Sequence, residues 1–404
     1  MISVDEARGR ILRALSVLPA EQVALPDGLG RVLAEDVVSR TTQPPAAVSA
    51  MDGWAVRAAD VARVPCTLRQ VGYVPAGQRF DGRVGPGETV RIFTGAPVPD
   101  GADAIVIQED ADVDGTSITV REGAAAGRYV RQAGLDFRAG DLGVAANRVL
   151  TVRDIGLAAA MNVPWLKVRR RPRVAILPTG DEIVMPGEPI GPSQIISSNG
   201  LALAAFVRTM GGEPVDLGVA RDDRASLAAL AAAARGADLL VTTGGASVGE
   251  HDLIRSVLGE EGLALDFWQI AMRPGKPLMF GHIRGTPMIG LPGNPVSSLV
   301  CAVLFLRPAL AALLGIDPLD DIEGTAVLGV DLGANDRRED YLRARLERAP
   351  DGALRATPFP VQDSSMLARL AAADCLVVRP PRAPPARAGD SVRIVRLTGV
   401  TGGI

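Results

Sequence analysis

The chain has little of the material from which metal centres and disulfide frameworks are built. Its 404 residues include only three cysteines and two histidines. Cys66, Cys301 and Cys375 stand alone, with no CxxC pair among them. A zinc site, a disulfide framework and a histidine-rich metal site are therefore all unsupported. Aromatic residues make up 3% of the chain, so the cores must be built mostly from alanine, valine and leucine.

An excess of charge of one sign is also missing. The formal net charge of −3 argues against a broad electrostatic grip on nucleic acid, and we expect no nucleic-acid partner. No uninterrupted apolar run reaches the roughly 20 residues that cross a bilayer. The N-terminal stretch MISVDEARGRILRAL carries acids and lacks the apolar core of a signal peptide. These patterns predict a cytoplasmic protein without a membrane partner.

Two common phosphate-binding fingerprints are absent as well. No G-x-G-x-x-G follows a predicted strand, and no G-x-x-x-x-G-K-[ST] is present. The first absence argues against a nicotinamide dehydrogenase. Any phosphate must be held by another loop design.

A chain of 404 residues is too long for one core. Changes in the pattern of apolar and turn residues along it predict four domains. Short valine-rich pieces broken by turn residues predict β structure, whereas strands alternating with helical patterns predict a doubly wound, largely parallel α/β sheet. The predicted domains are an N-terminal helix-containing domain, a small β domain, a central α/β domain and a C-terminal β barrel-like domain, at residues 1–45 plus 140–172, 46–139, 173–318 and 319–404.

Three predicted strands of the α/β domain end in similar turns. AILPTGDEIV, VTTGGASVGEHD and IGLPGNPVSS each run from apolar residues into glycine, hydroxyls, an amide or carboxylates. In an open parallel sheet the ligand crevice lies outside the carboxyl ends of the strands, beside helix N-termini that attract anions. We expect one pocket there, lined by Thr179, Gly180, Asp181, Glu182, Asp222, Asp223, Gly244, Gly245, Ser247, Asp252, Gly293, Asn294, Ser297 and Ser298. The alternative is a set of ordinary caps and turns.

The carboxylates of these turns suggest a metal ion. Two carboxylates about 4 Å apart repel by roughly 4 kcal/mol at an effective dielectric near 20. If Glu182, Asp222 and Asp252 converge, a cation should bridge them, and Mg²⁺ takes carboxylate and phosphate oxygens together. The alternative is that each acid caps its own helix, Asp222 in particular.

The stretch MRPGKPLMFG places two cations, Arg273 and Lys276, beside prolines and a glycine. Prolines stiffen the backbone, so the cations are presented at little ordering cost. The alternative is a solvated hairpin with two surface cations. Downstream, Asn294 as N-cap and Pro295 at the first helical position predict a helix start, and Pro308 should kink that helix or end its first part.

Six motifs, SAMDGWA, IFTGAPVP, PTGDEIV, TTGGASVGEHD, MRPGKP and LPGNPVSS, resemble in this order the signatures of the molybdopterin molybdenumtransferase family, which includes MoeA-type proteins and the gephyrin E domain. The resemblance covers essentially the whole chain. It implies a Mg²⁺-dependent transferase of molybdenum cofactor biosynthesis that inserts molybdenum from molybdate into adenylylated molybdopterin and releases AMP. It also implies a homodimer with an active cleft between subunits, and molybdopterin adenylyltransferase and molybdoenzyme apoproteins as partners.

The resemblance also implies site residues. Asp52 and Thr94 would reach across the dimer cleft, and Glu182 and Asp252 would hold metal and pyrophosphate. The implied catalytic residues are Asp52, Glu182, Asp222, Asp252 and Lys276. The implied substrate-binding residues are Thr94, Asp136, Thr179, Gly180, Gly244, Gly245, Ser247, Arg273, Pro292, Asn294, Pro295, Ser297, Arg343 and Ser364. Among them, Lys276 and Ser297 would hold molybdate, and Arg343 and Ser364 resemble a further oxyanion site.

Three residues depart from the family pattern. Trp54 stands where tyrosine is usual, and we expect it to be a rim aromatic. Arg273 replaces the first lysine of KPGKP and presents a planar fork instead of a compact ammonium. Asp363 adds a negative charge beside Ser364.

A non-catalytic reading remains open beside the transferase. A dimeric scaffold or a pterin-binding module of the same fold would keep these motifs without carrying out the transfer. The acids at Glu182 and Asp252 count against this reading, because a scaffold has no need to crowd them.

Overall fold

The N-terminal strands pair with strands that lie more than a hundred residues later in the sequence. The computed structural model describes residues 1–75, 77–221, 223–244, 259–260, 262–317, 323–350 and 352–397. Strand Ala20–Ala24 pairs antiparallel with Trp165–Arg169, and Val37–Val38 pairs with Leu142–Val144. These strands enclose an apolar core together with helix Val152–Ala160. Residues 140–172 therefore pack back on the N-terminal segment.

The first helix, Val4–Arg13, packs elsewhere. Its buried residues Val4, Ala7 and Ile11 join the apolar core of the central sheet. The backbone adds to this attachment, because Ala271 N donates to Ile2 O at 2.8 Å. The helix is therefore part of the central core.

The SAMDGWA and IFTGAPVP motifs lie in a mixed sheet, here called the motif-bearing sheet. Its strand order is Ala104–Ile107, Gly53–Val56, Glu88–Ile92, Cys66–Val74, Ser117–Val120 and Ala111–Asp114. The short strands Val48–Ser49 and Val130–Arg131 pair beside it. Three 3₁₀ turns occur in the N-terminal half at Leu25–Gly28, Ala58–Val61 and Gln108–Asp110. Gly53 is required in this sheet, since a Cβ there would stand 2.0 Å from Val106 O.

The central sheet is the α/β part of the molecule. Its strand order is Glu213–Asp216, Arg173–Pro178, Leu239–Thr243, Thr286–Leu291, Met279–Ile283 and Leu263–Phe267. The first four strands run parallel. The fifth, Met279–Ile283, pairs antiparallel with both of its neighbours. Helix Asn199–Thr209 belongs to the core on one face, and helix Arg224–Ala233 contributes to the core on the other. A small parallel pair, Ile183–Val184 with Ile195–Ile196, stands beside the sheet.

One long helical run, Pro295–Leu314, has the length and hydropathy of a membrane span, but 78% of its most apolar window is buried inside the protein. It therefore packs as a core helix. The run consists of α-helix Pro295–Cys301, a π-helical segment Ala302–Leu306 and α-helix Arg307–Leu314. The run is interrupted before Pro308, as predicted: the first α-helix ends at Cys301, and the last begins at Arg307 with Pro308 in its first turn, where a missing N–H is tolerated.

The C-terminal sheet closes on itself. Its order is Met272–Arg273, Glu339–Arg348, Leu354–Pro358, Glu323–Leu328, Ser391–Arg396 and Cys375–Arg379, and the last strand pairs again with Glu339–Arg348. Helix Leu367–Ala371 lies in one connection. This small barrel, with the central α/β sheet and the motif-bearing sheet, confirms the predicted fold class. Its first strand, Met272–Arg273, comes from the central segment and ties the two units together.

Candidate functional site

The main cavity, about 910 Å³ in volume, lies at the edge of the central sheet. Three adjacent parallel strands end at this edge, because Arg173–Pro178, Leu239–Thr243 and Thr286–Leu291 are neighbours in register. The predicted site residues that the structure brings together at this cavity are Thr179, Glu182, Gly244, Arg273, Lys276, Pro292, Gly293, Asn294, Pro295, Ser297 and Ser364.

The turns that end these strands pack closely. Gly244 has a φ of 98°, and a Cβ there would stand 2.2 Å from Thr179 O, so only glycine fits. Thr179 is 1% exposed, and its Oγ1 has no hydrogen-bond partner among the residues the structure describes. A buried hydroxyl without a partner at a cavity wall is available to a ligand.

A residue that sequence reasoning missed, Asn199, joins the turns. Its Nδ2 donates to Thr243 Oγ1 at 3.0 Å and to Gly293 O at 2.7 Å. Thr243 Oγ1 in turn donates to Pro292 O at 3.2 Å. The signal that could have identified it is its place at the start of a helix in the same α/β segment.

The acidic side of the cavity holds Glu182, which is exposed at the lip. Gly180 makes room for it, since a Cβ at Gly180 would stand 2.6 Å from Glu182 Oε2. Asp223 is an ordinary helix cap that accepts from Ser226 N at 2.8 Å. Four predicted site residues lie outside the described residues: Asp222, Gly245, Ser247 and Asp252.

The fit of a divalent cation can be tested on the donor atoms that are present. Within the described ranges, no group of three or more His, Cys, Asp or Glu side chains is placed to hold a metal. Glu182 and the unpartnered Thr179 Oγ1 are oxygen donors at the same cavity, and oxygen is the ligand type that Mg²⁺ takes. The described donors therefore fit Mg²⁺ in kind.

The cavity is also lined by cations. Lys276 is half-buried, and its carbonyl oxygen accepts from Ile270 N and Leu278 N, both at 3.1 Å. No carboxylate in the described part of the chain forms an ion pair with its ammonium. Arg273, in contrast, is paired with Asp340, and this hydrogen bonding raises the pKa of the guanidinium.

A loop of the C-terminal barrel completes the wall. Asn294 begins the helix as predicted, but its side chain does not cap it; Nδ2 donates instead to Ser364 Oγ at 2.9 Å. Asp363 accepts from the N and Oγ of Ser365, and these hydrogen bonds lower the pKa of its carboxyl. The extra negative charge predicted beside Ser364 is therefore present at the cavity.

Arg343 stands behind this loop and does not line the cavity as described. It is 1% exposed, donates through Nε to Gln362 Oε1 at 3.0 Å and donates through Nη1 to Asp363 O at 2.7 Å. Burial lowers the pKa of its guanidinium. In this position it supports the loop that carries Ser364, and direct contact with an oxyanion stays a prediction.

Asp52 and Thr94 are paired in the motif-bearing sheet. Asp52 Oδ1 accepts from Thr94 N and from Thr94 Oγ1, both at 2.8 Å. These bonds, the backbone one first, lower the pKa of the Asp52 carboxyl. Neither residue lines the main cavity of its own chain. Asp136 lines a second cavity of about 700 Å³, together with Gly95, the neighbour of Thr94.

Trp54 is not a rim aromatic, and that expectation was wrong. Its strand lies between two neighbours, which buries the ring at 4% exposure. Arg91 lies over it, with the guanidinium carbon 4.6 Å from the Trp54 ring centroid and 4.9 Å from that of Phe93. The ring therefore supports a cation beside the Asp52 turn.

Comparison with known families matches three segments of the chain. Residues 2–162 match the MoeA N-terminal region (domains I and II). Residues 175–312 match a probable molybdopterin binding domain, and residues 325–397 match the MoeA C-terminal region (domain IV).

Similar proteins extend over the full length. Molybdopterin molybdenumtransferase 2 of Mycobacterium tuberculosis is 35% identical over 98% of this chain and 100% of its own. The molybdopterin molybdenumtransferase of Haemophilus influenzae is 33% identical over 98% of both chains. A crystal structure of the molybdopterin biosynthesis MoeA protein of Pyrococcus horikoshii superposes with a TM-score of 0.86 at 33% identity, covering 99% of this chain and 100% of the other.

Proposed function

The chain belongs to the molybdopterin molybdenumtransferase family of MoeA-type proteins, and we propose that it inserts molybdenum from molybdate into adenylylated molybdopterin with release of AMP. It is a transferase of molybdenum cofactor biosynthesis. The observation that carries the proposed chemistry is a cavity lined by three glycine-containing turns and by Lys276, whose ammonium has no carboxylate partner among the described residues. Such a cavity suits an anionic substrate.

The proposed roles follow from the chemistry of each wall. Gly244 lets the backbone approach a phosphate closely, and Thr179 offers a hydroxyl that has no partner in the described part of the chain. Lys276 and Ser297 hold molybdate as the second substrate and keep it oriented toward the sulfurs that receive it. Positioning of two anions is the main task of such a site, because their charges oppose each other's approach.

We propose Mg²⁺ as the cofactor, with Glu182 as a ligand and Asp252 as the second ligand that the resemblance implies. When bound, Mg²⁺ neutralises charge on the phosphate anhydride and so favours departure of AMP. Glu182 is exposed at the lip of the cavity and able to meet such an ion. The expected result is that chelation of divalent cations abolishes AMP release and added Mg²⁺ restores it.

We propose a homodimer in which Asp52 and Thr94 of one subunit face the main cavity of the other. The support is that this pair does not line the cavity of its own chain. Mixed dimers test the arrangement. Asp52→Ala and Lys276→Ala subunits, each inactive alone, should recover activity when mixed, because one of the two clefts in each heterodimer then carries neither change. A sedimentation mass of one chain would rule out the shared cleft.

The remaining proposals concern cellular setting and chain organisation. We propose a cytoplasmic protein that receives its substrate from molybdopterin adenylyltransferase and delivers its product to molybdoenzyme apoproteins. We also propose the four domains predicted above as the units of the chain, with the first helix, Val4–Arg13, packed on the central one.

The direct test is molybdate-dependent AMP release from adenylylated molybdopterin. Wild-type protein should release AMP, and Asp52→Ala should release almost none while unfolding at nearly the wild-type temperature, since Asp52 is only partly buried. Tight substrate binding without AMP release by the wild type would favour the non-catalytic scaffold instead.

A further inference from the structure

A network of four charges lies on the rim of the main cavity, between the loop that carries Lys276 and the C-terminal barrel. Arg273 donates through Nε to Asp340 Oδ1 at 2.9 Å and through a terminal nitrogen to the other carboxylate oxygen. Its remaining terminal nitrogen lies 3.7 Å from Asp336 Oδ2, and Arg338 contacts the same oxygen at 3.0 Å. Two arginines and two aspartates thus cancel in charge.

Burial shows which partner the network depends on. Asp340 is 4% exposed, whereas the Arg273 side chain is half-exposed and lines the cavity. A buried carboxylate requires a partner, and the planar guanidinium supplies two parallel bonds. Backbone pairing adds to the attachment, because Met272 and Arg273 pair in parallel with Glu339 and Asp340.

The segment between Arg273 and Lys276 is short and confined. Gly275 has a φ of 108°, and a Cβ there would stand 2.5 Å from the Sγ of the buried Cys301. Lys276 is held by two backbone hydrogen bonds to its carbonyl oxygen, from Ile270 and Leu278. A shift of Arg273 would therefore displace the ammonium of Lys276, which lies three residues further along the chain.

Lysine is rare in this chain. Lys167 and Lys276 are the two lysines, so 43 − 2 = 41 of the basic residues are arginine. Arginine at position 273 is used for a forked pair that lysine cannot make. Lys276 is the cation that, among the described residues lining the cavity, has no carboxylate partner. Arg273 and Arg338 line the same cavity but are already neutralised.

We propose that Asp340 is a positioning residue for molybdate: it neutralises Arg273 and fixes the loop so that Lys276 is the cation that meets the oxyanion. Arg273 is then a clamp and not an oxyanion ligand. This inference rests on the proposed function, because it assumes that molybdate binds beside Lys276.

The two lysines allow a test that does not depend on turnover. Limited acetylation with N-hydroxysuccinimide acetate, read by mass spectrometry, reports on Lys276, with the exposed Lys167 as an internal control. In the wild type, molybdate should slow acetylation of Lys276 and leave Lys167 unchanged. In Asp340→Asn, the molybdate concentration for half-protection should rise on the order of tenfold, the scale seen when a group supporting a ligand is lost.

The sign of the change separates a clamp from a ligand. If Arg273 bound the oxyanion directly, Asp340→Asn would free its charge and lower the half-protection concentration; an unchanged or lower value overturns the proposal. Arg273→Lys keeps the charge and loses the fork, so it should raise the concentration as Asp340→Asn does. Wild-type behaviour of Arg273→Lys would also overturn it. The double variant Arg273→Gln with Asp340→Asn should have a half-protection concentration no higher than that of the weaker-binding single variant, Arg273→Gln or Asp340→Asn.

A matched control is available at a distance from the cavity. Arg170 and Asp238 form a similar forked pair, at 2.7 and 2.9 Å. Asp238→Asn should leave the half-protection concentration unchanged. An equal shift in this variant would show general loosening and would overturn the positioning role.

Turnover distinguishes failure of this inference from failure of the proposed function. Asp340→Asn should raise KM for molybdate in AMP release and leave kcat at saturation close to that of the wild type. Protection of Lys276 without AMP release by the wild type would reject the transferase and leave the clamp standing. Absence of protection in the wild type would reject the clamp.

Discussion

Asp52 in the motif-bearing sheet and Lys276 at the main cavity are both predicted catalytic residues, yet their surroundings differ. Asp52 already accepts two hydrogen bonds from Thr94. Lys276 has no ion-pair partner in the described part of the chain, and Thr179 Oγ1 nearby has no hydrogen-bond partner there. One surface is therefore preformed, and the other holds polar groups that a ligand would satisfy.

Of the single variants Lys276→Ala, Gly244→Ala and Thr94→Val, the largest effect is expected from Lys276→Ala, at the unsatisfied surface. Lys276→Ala removes the cavity cation that has no carboxylate partner within the described ranges, and it should lower kcat for molybdate-dependent AMP release by about 10²–10³-fold, the scale for one donor to a reacting oxyanion. Lys167→Ala is the control, because Lys167 is an exposed cation paired with Glu35. Activity within a few fold of wild type in Lys276→Ala would place the oxyanion elsewhere.

A smaller effect is expected from the backbone turn. Gly244→Ala places a Cβ against Thr179 O and should lower the free energy of unfolding by on the order of 1–3 kcal/mol. Gly285→Ala is matched in φ, at 87°, with nothing within 4 Å of its Cβ. Denaturant unfolding of both variants separates the steric clash from the backbone strain. Equal losses would mean that the close approach to Thr179 is relieved by relaxation.

The smallest effect is expected at the preformed surface and concerns pH. Thr94→Val removes one of the two bonds that lower the pKa of Asp52, so that pKa should rise toward its ordinary value. Asp52 then becomes protonated at a higher pH, and the acid limb of kcat/KM should move upward. The backbone bond from residue 94 remains, so the shift is partial. An acid limb that does not move would show that it reports another group.

The convergence of the turns was predictable because parallel strands deliver their carboxyl ends to one edge. The Arg273–Asp340 pair was not predictable, since it joins positions 67 residues apart. It depends on the short strand Met272–Arg273, which lies between two strands of the central sheet in sequence but pairs with the C-terminal sheet. Burial of Trp54 depended on which strands flank its own. The motifs identified the candidate site side chains. Which of them lack a partner within the described residues depends on pairing between segments that are distant in sequence.

The N-terminal helix has a consequence for how this protein can be divided. Because Val4 and Ile11 fill the core of a sheet that begins more than 150 residues later, no continuous stretch of chain contains the whole central unit. An excised central fragment would expose the apolar groove that this helix covers, and we expect it to aggregate. Fragment complementation should therefore succeed only when the first fifteen or so residues are supplied.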